Sequence, residues 1–283
     1  MHDCLVNGEI AATVSASDRG LNYGDGLFET LRIIGGKPRF WQSHMDRLEV
    51  GCRKLGIERP DQALLLREAQ TVVAGKPDCV VKIVVTRGVP GPVTSRGYAP
   101  PKGLPVTRIV SAHVLPPEYQ TDVEGVTDPD NTSHSPAGLK LRICDLRLAN
   151  QPVLAGIKHL NRLEQVMARA EWDDPDISEG VLLDENEHVI CGTASNIFLV
   201  SAGRLLTPRL DRCGVRGVMR TEILRHFKSR CEQRRITLDM LPEASEAFLC
   251  NSVRGVMAIR SIDKWDYSLG PVTAEIREWL EQQ

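Results

Sequence analysis

With 283 residues, a quarter of them charged and a formal net charge of −2, the chain is long enough for two domains of ordinary size. It carries no basic block of the kind that binds nucleic acid or an anionic membrane. No apolar run reaches the ~20 residues of a membrane span, and the start, Met1-His2-Asp3-Cys4, lacks the pattern of a signal peptide; small-molecule chemistry in the cytoplasm is the expectation.

In chain order, Asn7-Gly8 between Leu5-Val6 and the alternating residues 9–14 predicts a hairpin, because both turn positions favour positive φ. Residues 28–34 followed by Gly35-Gly36-Lys37 read as a second hairpin. Ser43 then caps a helix whose apolar face is Met45, Leu48, Cys52 and Leu55 and which carries His44 and Arg47. Another helix follows Pro60-Asp61, and residues 79–86 and 107–115 read as strands of the same sheet, separated by a Gly/Pro-rich loop at 88–105. Pro116-Pro117 stops both helix and central strand, which divides the chain into domains at 1–117 and 118–283. Residues 127–138 are polar and turn-rich and predict a surface loop. The second half mixes strands at 180–184, 188–191, 196–200 and 246–250 with helices near 159–172, 217–230 and 272–281, without an internal repeat.

Four segments contain groups that could carry chemistry. Lys158 sits where the apolar run 153–157 meets the amphipathic stretch 159–170; a desolvated amine there would suit a Schiff-base lysine, whereas most lysines that begin a helix are merely solvated. Gly214 and Gly217 precede a helix whose first amides offer a phosphate site, or form an ordinary loop-to-helix junction. Phe248-Leu249-Cys250-Asn251-Ser252 is an apolar strand ending in small polar residues, suited to a ligand contact or to a simple turn. Cys191-Gly192-Thr193-Ala194-Ser195-Asn196 could cradle a ligand or form an irregular hairpin. The eight cysteines stand singly without CxxC spacing, so reduced packing residues are expected, with neither a metal site nor a disulfide framework.

Taken in order, these segments resemble the fold-type IV aminotransferases, a pyridoxal 5′-phosphate family. The segments concerned are Ser17-Asp18-Arg19-Gly20, Tyr23 to Thr30, His44 to Leu48, Thr86-Arg87-Gly88, the Lys158 segment, Gly192 to Asn196 and Gly217 to Arg220. Leu154 to Val166 and Arg96-Gly97-Tyr98 are similar to the 4-amino-4-deoxychorismate lyase branch in particular. The resemblance implies an α/β (α+β) fold of two domains, the smaller amino-terminal and the larger carboxy-terminal with a barrel-like sheet. It further implies a homodimer and a small-molecule substrate, with no nucleic-acid or membrane partner. It assigns Lys158 to covalent attachment of the cofactor and to proton transfer. Arg47, Cys191, Thr193, Asn196, the Val218 and Met219 amides, Asn251 and Ser252 would bind the cofactor. Thr30 has a catalytic part, and Phe28, Arg96, Tyr98 and Asn161 lie on the substrate side; Arg96 reads equally as a solvated surface charge. The expected reaction is elimination of pyruvate from 4-amino-4-deoxychorismate to leave 4-aminobenzoate, for folate synthesis. D-amino-acid or branched-chain transamination and a cofactor-binding protein with little catalysis are the alternatives.

One position departs from the pattern. Relatives carry a glutamate before the Gly-Thr-x-x-Asn cluster, where it pairs with the pyridine nitrogen; here it is Cys191. A thiol with an ordinary pKa of roughly 8.5 supplies no fixed anion, so the ring would be a poorer electron sink. Two consequences are open: an aromatising elimination that needs less of that sink than transamination does, or a reduced activity or different substrate. Glu179 and Glu187 are near in sequence but do not align with the missing carboxylate.

Overall fold

The computed structural model describes residues 4–10, 13–91, 97–115 and 138–283. Pro116 to Tyr119, the greater part of the 127–138 loop and Arg96 lie outside the described residues. Two compact units emerge: Met1–Leu115 with Ile157–Asn161, and Pro116–Gly156 with Arg162–Gln283.

In the first unit the elements run β1 (Cys4–Val6), α1 (Arg19–Tyr23), β2 (Gly26–Ile34), β3 (Lys37–Pro38), α2 (Trp41–Leu55), α3 (Gln62–Val73), β4 (Cys79–Thr86) and β5 (Thr107–His113). They form an antiparallel sheet in the order β1-β5-β4-β2-β3. The β-branched run Cys-Val-Val-Lys-Ile-Val-Val-Thr makes β4 a natural centre for it. Period-two alternation sends Leu27, Leu31, Val81, Ile83, Val85 and Val110 into the core, where α2 and α3 pack. Phe28, Thr30 and Lys82 occupy the opposite face. The Asn7-Gly8 turn forms with φ of 54° and 87°, but among the described residues only Val6 and Glu9 pair across it, and β1 is held by β5 instead. Ser43 does not cap α2: the helix begins two residues earlier, with Phe40 in a left-handed conformation at the cap. α3 is capped as expected, by the Asp61 carboxylate accepting from the Ala63 N–H at 3.0 Å.

The second unit contains β6 (Leu139–Leu148), α4 (Leu163–Arg169), β7 (Glu179–Asp184), β8 (Val189–Gly192), β9 (Asn196–Ser201) and β10 (Arg204–Pro208). After these come α5 (Val218–His226), β11 (Cys231–Arg234), β12 (Glu246–Asn251), β13 (Gly255–Ile262), β14 (Trp265–Asp266) and α6 (Pro271–Glu281). The strand order is β11-β10-β9-β12-β13-β6-β7-β8, with β14 on β13. The sheet curls until its ends approach: the Val189 N–H in β8 donates to the Ile236 carbonyl just beyond β11 at 2.8 Å. This gives the larger unit its barrel-like sheet. Leu141, Val181, Val189, Ile197, Leu199, Leu249 and Ile259 fill one side of it. Phe198 and Phe248, paired in register, stack at 4.9 Å, a contact worth about 1 kcal/mol beyond its area.

Three expectations differ from the fold. The helix near 159–172 shrinks to α4, because residues 158–160 are drawn into an extended pairing with β2. The helix near 217–230 ends at His226, and residues 231–234 join β10 as a parallel strand. β6, absent from the sequence reading, lies centrally and pairs in parallel with both β13 and β7.

Candidate functional site

In the first unit, Lys158 belongs to a strap laid along β2. The Phe28 N–H donates to the Lys158 carbonyl and the Leu160 N–H to the Gly26 carbonyl, both at 3.0 Å, and Leu27 bridges His159. One backbone bond at Lys158 and one at Leu160 therefore fix the strap, and the Lys158 Nζ lies 4.3 Å from the centre of the Phe28 ring. An ammonium is attracted to the ring face, and an aromatic wall limits the water around the amine.

Behind β2, Glu29 is buried against α2. Its carboxylate accepts from Arg47 Nε at 2.8 Å and from Arg47 Nη2, and from His44 Nδ1 at 2.6 Å. Burial works to raise this carboxyl, yet the Arg47 charge and the His44 hydrogen bond hold it at about 2. His44, wholly buried, is pushed below its ordinary value by desolvation despite Glu29, so the ring is neutral near pH 7 and its Nδ1–H donates. The consequence for Arg47 is geometric. Its Nε–Nη2 edge is committed to Glu29, which locks the guanidinium in place.

Thr30 sits two residues along the Phe28 face, opposite Lys82, whose Nζ lies 5.4 Å from the same Phe28 ring. Asn161 is partly structural: its Nδ2 donates to the Gly24 carbonyl at 3.2 Å, and a Cβ on Gly24 would overlap its Oδ1. Tyr98 is 88% exposed and meets Tyr23 edge-on at 5.7 Å. Arg19, buried, donates to the carbonyls of Gly97 and Tyr98 at 3.1 and 3.4 Å and pairs with Asp25, so the Tyr98 end of the loop is anchored from α1.

In the second unit, Asn196 begins β9 and reaches the start of α5. Its Oδ1 accepts from the Gly217 N–H at 3.0 Å, and its Nδ2 donates to the Val215 carbonyl at 2.9 Å. A Cβ on Gly217 would overlap Asn196 Oδ1, which explains glycine there without appeal to its φ of −62°. Among the described residues, no carbonyl or side chain accepts from the Val218 or Met219 N–H, so α5 presents unpaired donors with the positive end of its dipole. At the end of β12, Asn251 Oδ1 accepts from the Val253 and Arg254 N–H groups at 3.0 and 2.8 Å, closing a tight turn beside Ser252. Thr193 Oγ1 lies 3.5 Å from Glu179 Oε1. The Val218 and Met219 donors suit a phosphate dianion.

Cys191 is buried in an apolar cluster with Cys144, Cys213, Leu182 and Trp172. Desolvation, reinforced by Cys213 and Glu179, pushes its thiol well above the ordinary value, so it is a neutral group. Glu187 is surface-exposed and paired with Arg147 at 2.7 Å, whereas Glu179 is buried. Glu29 and Lys82 had no role in the sequence reading. Glu29 does stand in the quoted Tyr23–Thr30 motif, and Lys82 is a lone charge in a β-branched run, an irregularity that marks the open face of a strand.

The conserved-pattern description Amino-transferase class IV matches residues 26–262. Aminodeoxychorismate lyase from Vibrio harveyi is 34% identical over 96% of this chain and 97% of its own length. D-alanine aminotransferase from Listeria monocytogenes is 27% identical over 99% of this chain and 95% of its own length. Among solved structures, 4-amino-4-deoxychorismate lyase from Pseudomonas aeruginosa superposes with a TM-score of 0.87 at 41% identity, covering 99% of this chain and 98% of that one. With the pattern spanning most of its length and two such relatives matched nearly end to end, the chain belongs to the class IV aminotransferase family.

Proposed function

We propose that this protein is a pyridoxal 5′-phosphate-dependent lyase that converts 4-amino-4-deoxychorismate into 4-aminobenzoate and pyruvate. The observation that carries the proposal is Lys158, its carbonyl bonded to the Phe28 N–H and its amine over the Phe28 ring, in a chain 41% identical to a solved lyase of that name. When bound, the cofactor supplies an aldehyde that condenses with amines and a ring that accepts electron density. Each unit by itself carries residues that fit such a group: in the first, Lys158 offers the amine for attachment and Arg47 a fixed positive charge; in the second, the Val218 and Met219 amides offer phosphate donors, to which the resemblance adds Asn251 and Ser252.

Lys158 would then act as the base that takes the proton from C4 of the substrate ring, while enolpyruvate departs from C3 with the electron pair of the broken C–O bond. Aromatisation drives the step, which suits a site whose Cys191 provides no anion. Thr30 and Phe28 line the face of β2 on which Lys158 is held. A homodimer, on the resemblance alone, and a cytoplasmic location, a small-molecule substrate without nucleic-acid or membrane partners and a domain boundary at 117/118, on the sequence features given above, complete the proposal. No described helix is long and apolar enough to cross a membrane.

Pyruvate release from aminodeoxychorismate by the cofactor-loaded protein is the direct test. Lys158→Ala should lose both the borohydride-reducible chromophore and pyruvate release, and a variant that released pyruvate at the wild-type rate would rule the proposal out. Rapid conversion of the cofactor to its amine form by an amino acid, without pyruvate from aminodeoxychorismate, would favour the aminotransferase alternative.

A further inference from the structure

Glu179 opens β7 and is 5% exposed, and the Arg254 charge acts on its carboxyl without cancelling the cost of burial. Its Oε1 accepts from the Ala194 N–H at 2.9 Å and the Ser195 hydroxyl at 2.6 Å, with the Thr193 hydroxyl at 3.5 Å. The turn from Gly192 to Ser195 is thus folded around one carboxylate oxygen. It is closed further by the Gly192 N–H to the Ser195 carbonyl at 2.8 Å and the Thr193 N–H to the Gly180 carbonyl at 3.1 Å. Gly192 is forced by the same packing, since a Cβ there would overlap Glu179 Oε1 and Ser195 Oγ. The next residue is Asn196, which holds Gly217 and Val215 at the start of α5. A continuous chain of hydrogen bonds therefore runs from Glu179 through the turn to the first amides of that helix.

We propose that Glu179 is a positioning residue for the phosphate site: its carboxylate oxygen sets the Thr193–Asn196 turn, and Asn196 in turn aims the Val218 and Met219 amides. The inference rests on the cofactor assignment made above and concerns the same site. What the turn requires of residue 179 is an acceptor at Oε1, and a glutamine supplies one. Alanine supplies none and leaves the Ala194 N–H and Ser195 hydroxyl without their partner.

The experiment compares the affinity of pyridoxal 5′-phosphate with that of pyridoxal, which lacks the phosphate, by titrating the apoprotein and following the borohydride-reducible absorbance. Glu179→Gln should keep the wild-type ratio of the two affinities. Glu179→Ala should weaken the phosphorylated form by about tenfold or more, the effect of misplacing one charge-assisted hydrogen bond, and leave pyridoxal unchanged. Ser195→Ala, which removes a single donor and leaves the core intact, should fall between them; it decides the matter if the alanine variant at 179 does not fold. Equal weakening of both compounds, or no weakening of either, overturns the role of Glu179. A wild-type protein that binds neither overturns the cofactor assignment itself, and this inference with it.

Discussion

Replacing Glu29 with glutamine removes the charge that faces Arg47 while keeping the shape of the side chain. Holding a buried carboxyl at about 2 against an ordinary 4.5 corresponds to roughly 3 kcal/mol of native-state stability at neutral pH, at about 1.4 kcal/mol per tenfold. The amide also presents an N–H₂ group to partners that are all donors, so Glu29→Gln should lose about 3 kcal/mol, within the range for breaking a buried pair. In a chain of this size that is a fall of roughly 6 °C in Tm. The pH dependence gives the sharper test. A depressed carboxyl contributes stability that is present above pH 4.5 and lost as pH falls through about 2, so the gap between wild type and variant should be full at pH 7 and shrink steadily below 4.5. Thermal unfolding at pH 7, 5, 4 and 3 measures it. A gap that stays constant across this range, or one below about 0.5 kcal/mol at pH 7, would refute the assignment of an ionised Glu29 to Arg47.

Glu179 should show the opposite sign. Desolvation raises its carboxyl above the ordinary 4.5, so its contribution is fully present below that value and is lost as pH rises through the folded-state value. Thermal unfolding should therefore find Glu179→Gln gaining on the wild type between pH 4 and pH 8; a variant that loses ground as pH rises contradicts the desolvated carboxylate. Cys191→Glu places a carboxylate among Cys144, Cys213 and Trp172, with the Arg162 charge in reach, and should cost about 1 to 3 kcal/mol from overpacking. If the neutral thiol suits elimination, transamination with D-alanine and 2-oxoglutarate should rise in this variant while pyruvate release from aminodeoxychorismate stays level. A fall in both rates would remove that account of Cys191.

Much of the fold could be read locally. β4, β7, β9, β12 and the α3 cap announce themselves through β-branched runs or a side-chain acceptor at the right place, because their stabilising contacts are short in sequence. The cofactor residues were legible as motifs for the same reason: a lysine at an apolar junction, glycines before a helix and a strand ending in Asn-Ser each leave a local trace. What only the tertiary structure decided is held by distant partners. Lys158 to Leu160 form an extended strap because Phe28 and Gly26, more than a hundred residues earlier, capture the backbone of Lys158 and Leu160 respectively. β6 alternates Leu139, Leu141 and Ile143 with Lys140 and Arg142, a local strand signal, but its central place comes only from parallel pairing with β7 and β13. Glu29 and Glu179 are ordinary glutamates in the sequence, and folding gives them opposite roles. One is buried beside a guanidinium and stays ionised with ease; the other is buried against hydroxyl and amide donors and serves as the template of a turn.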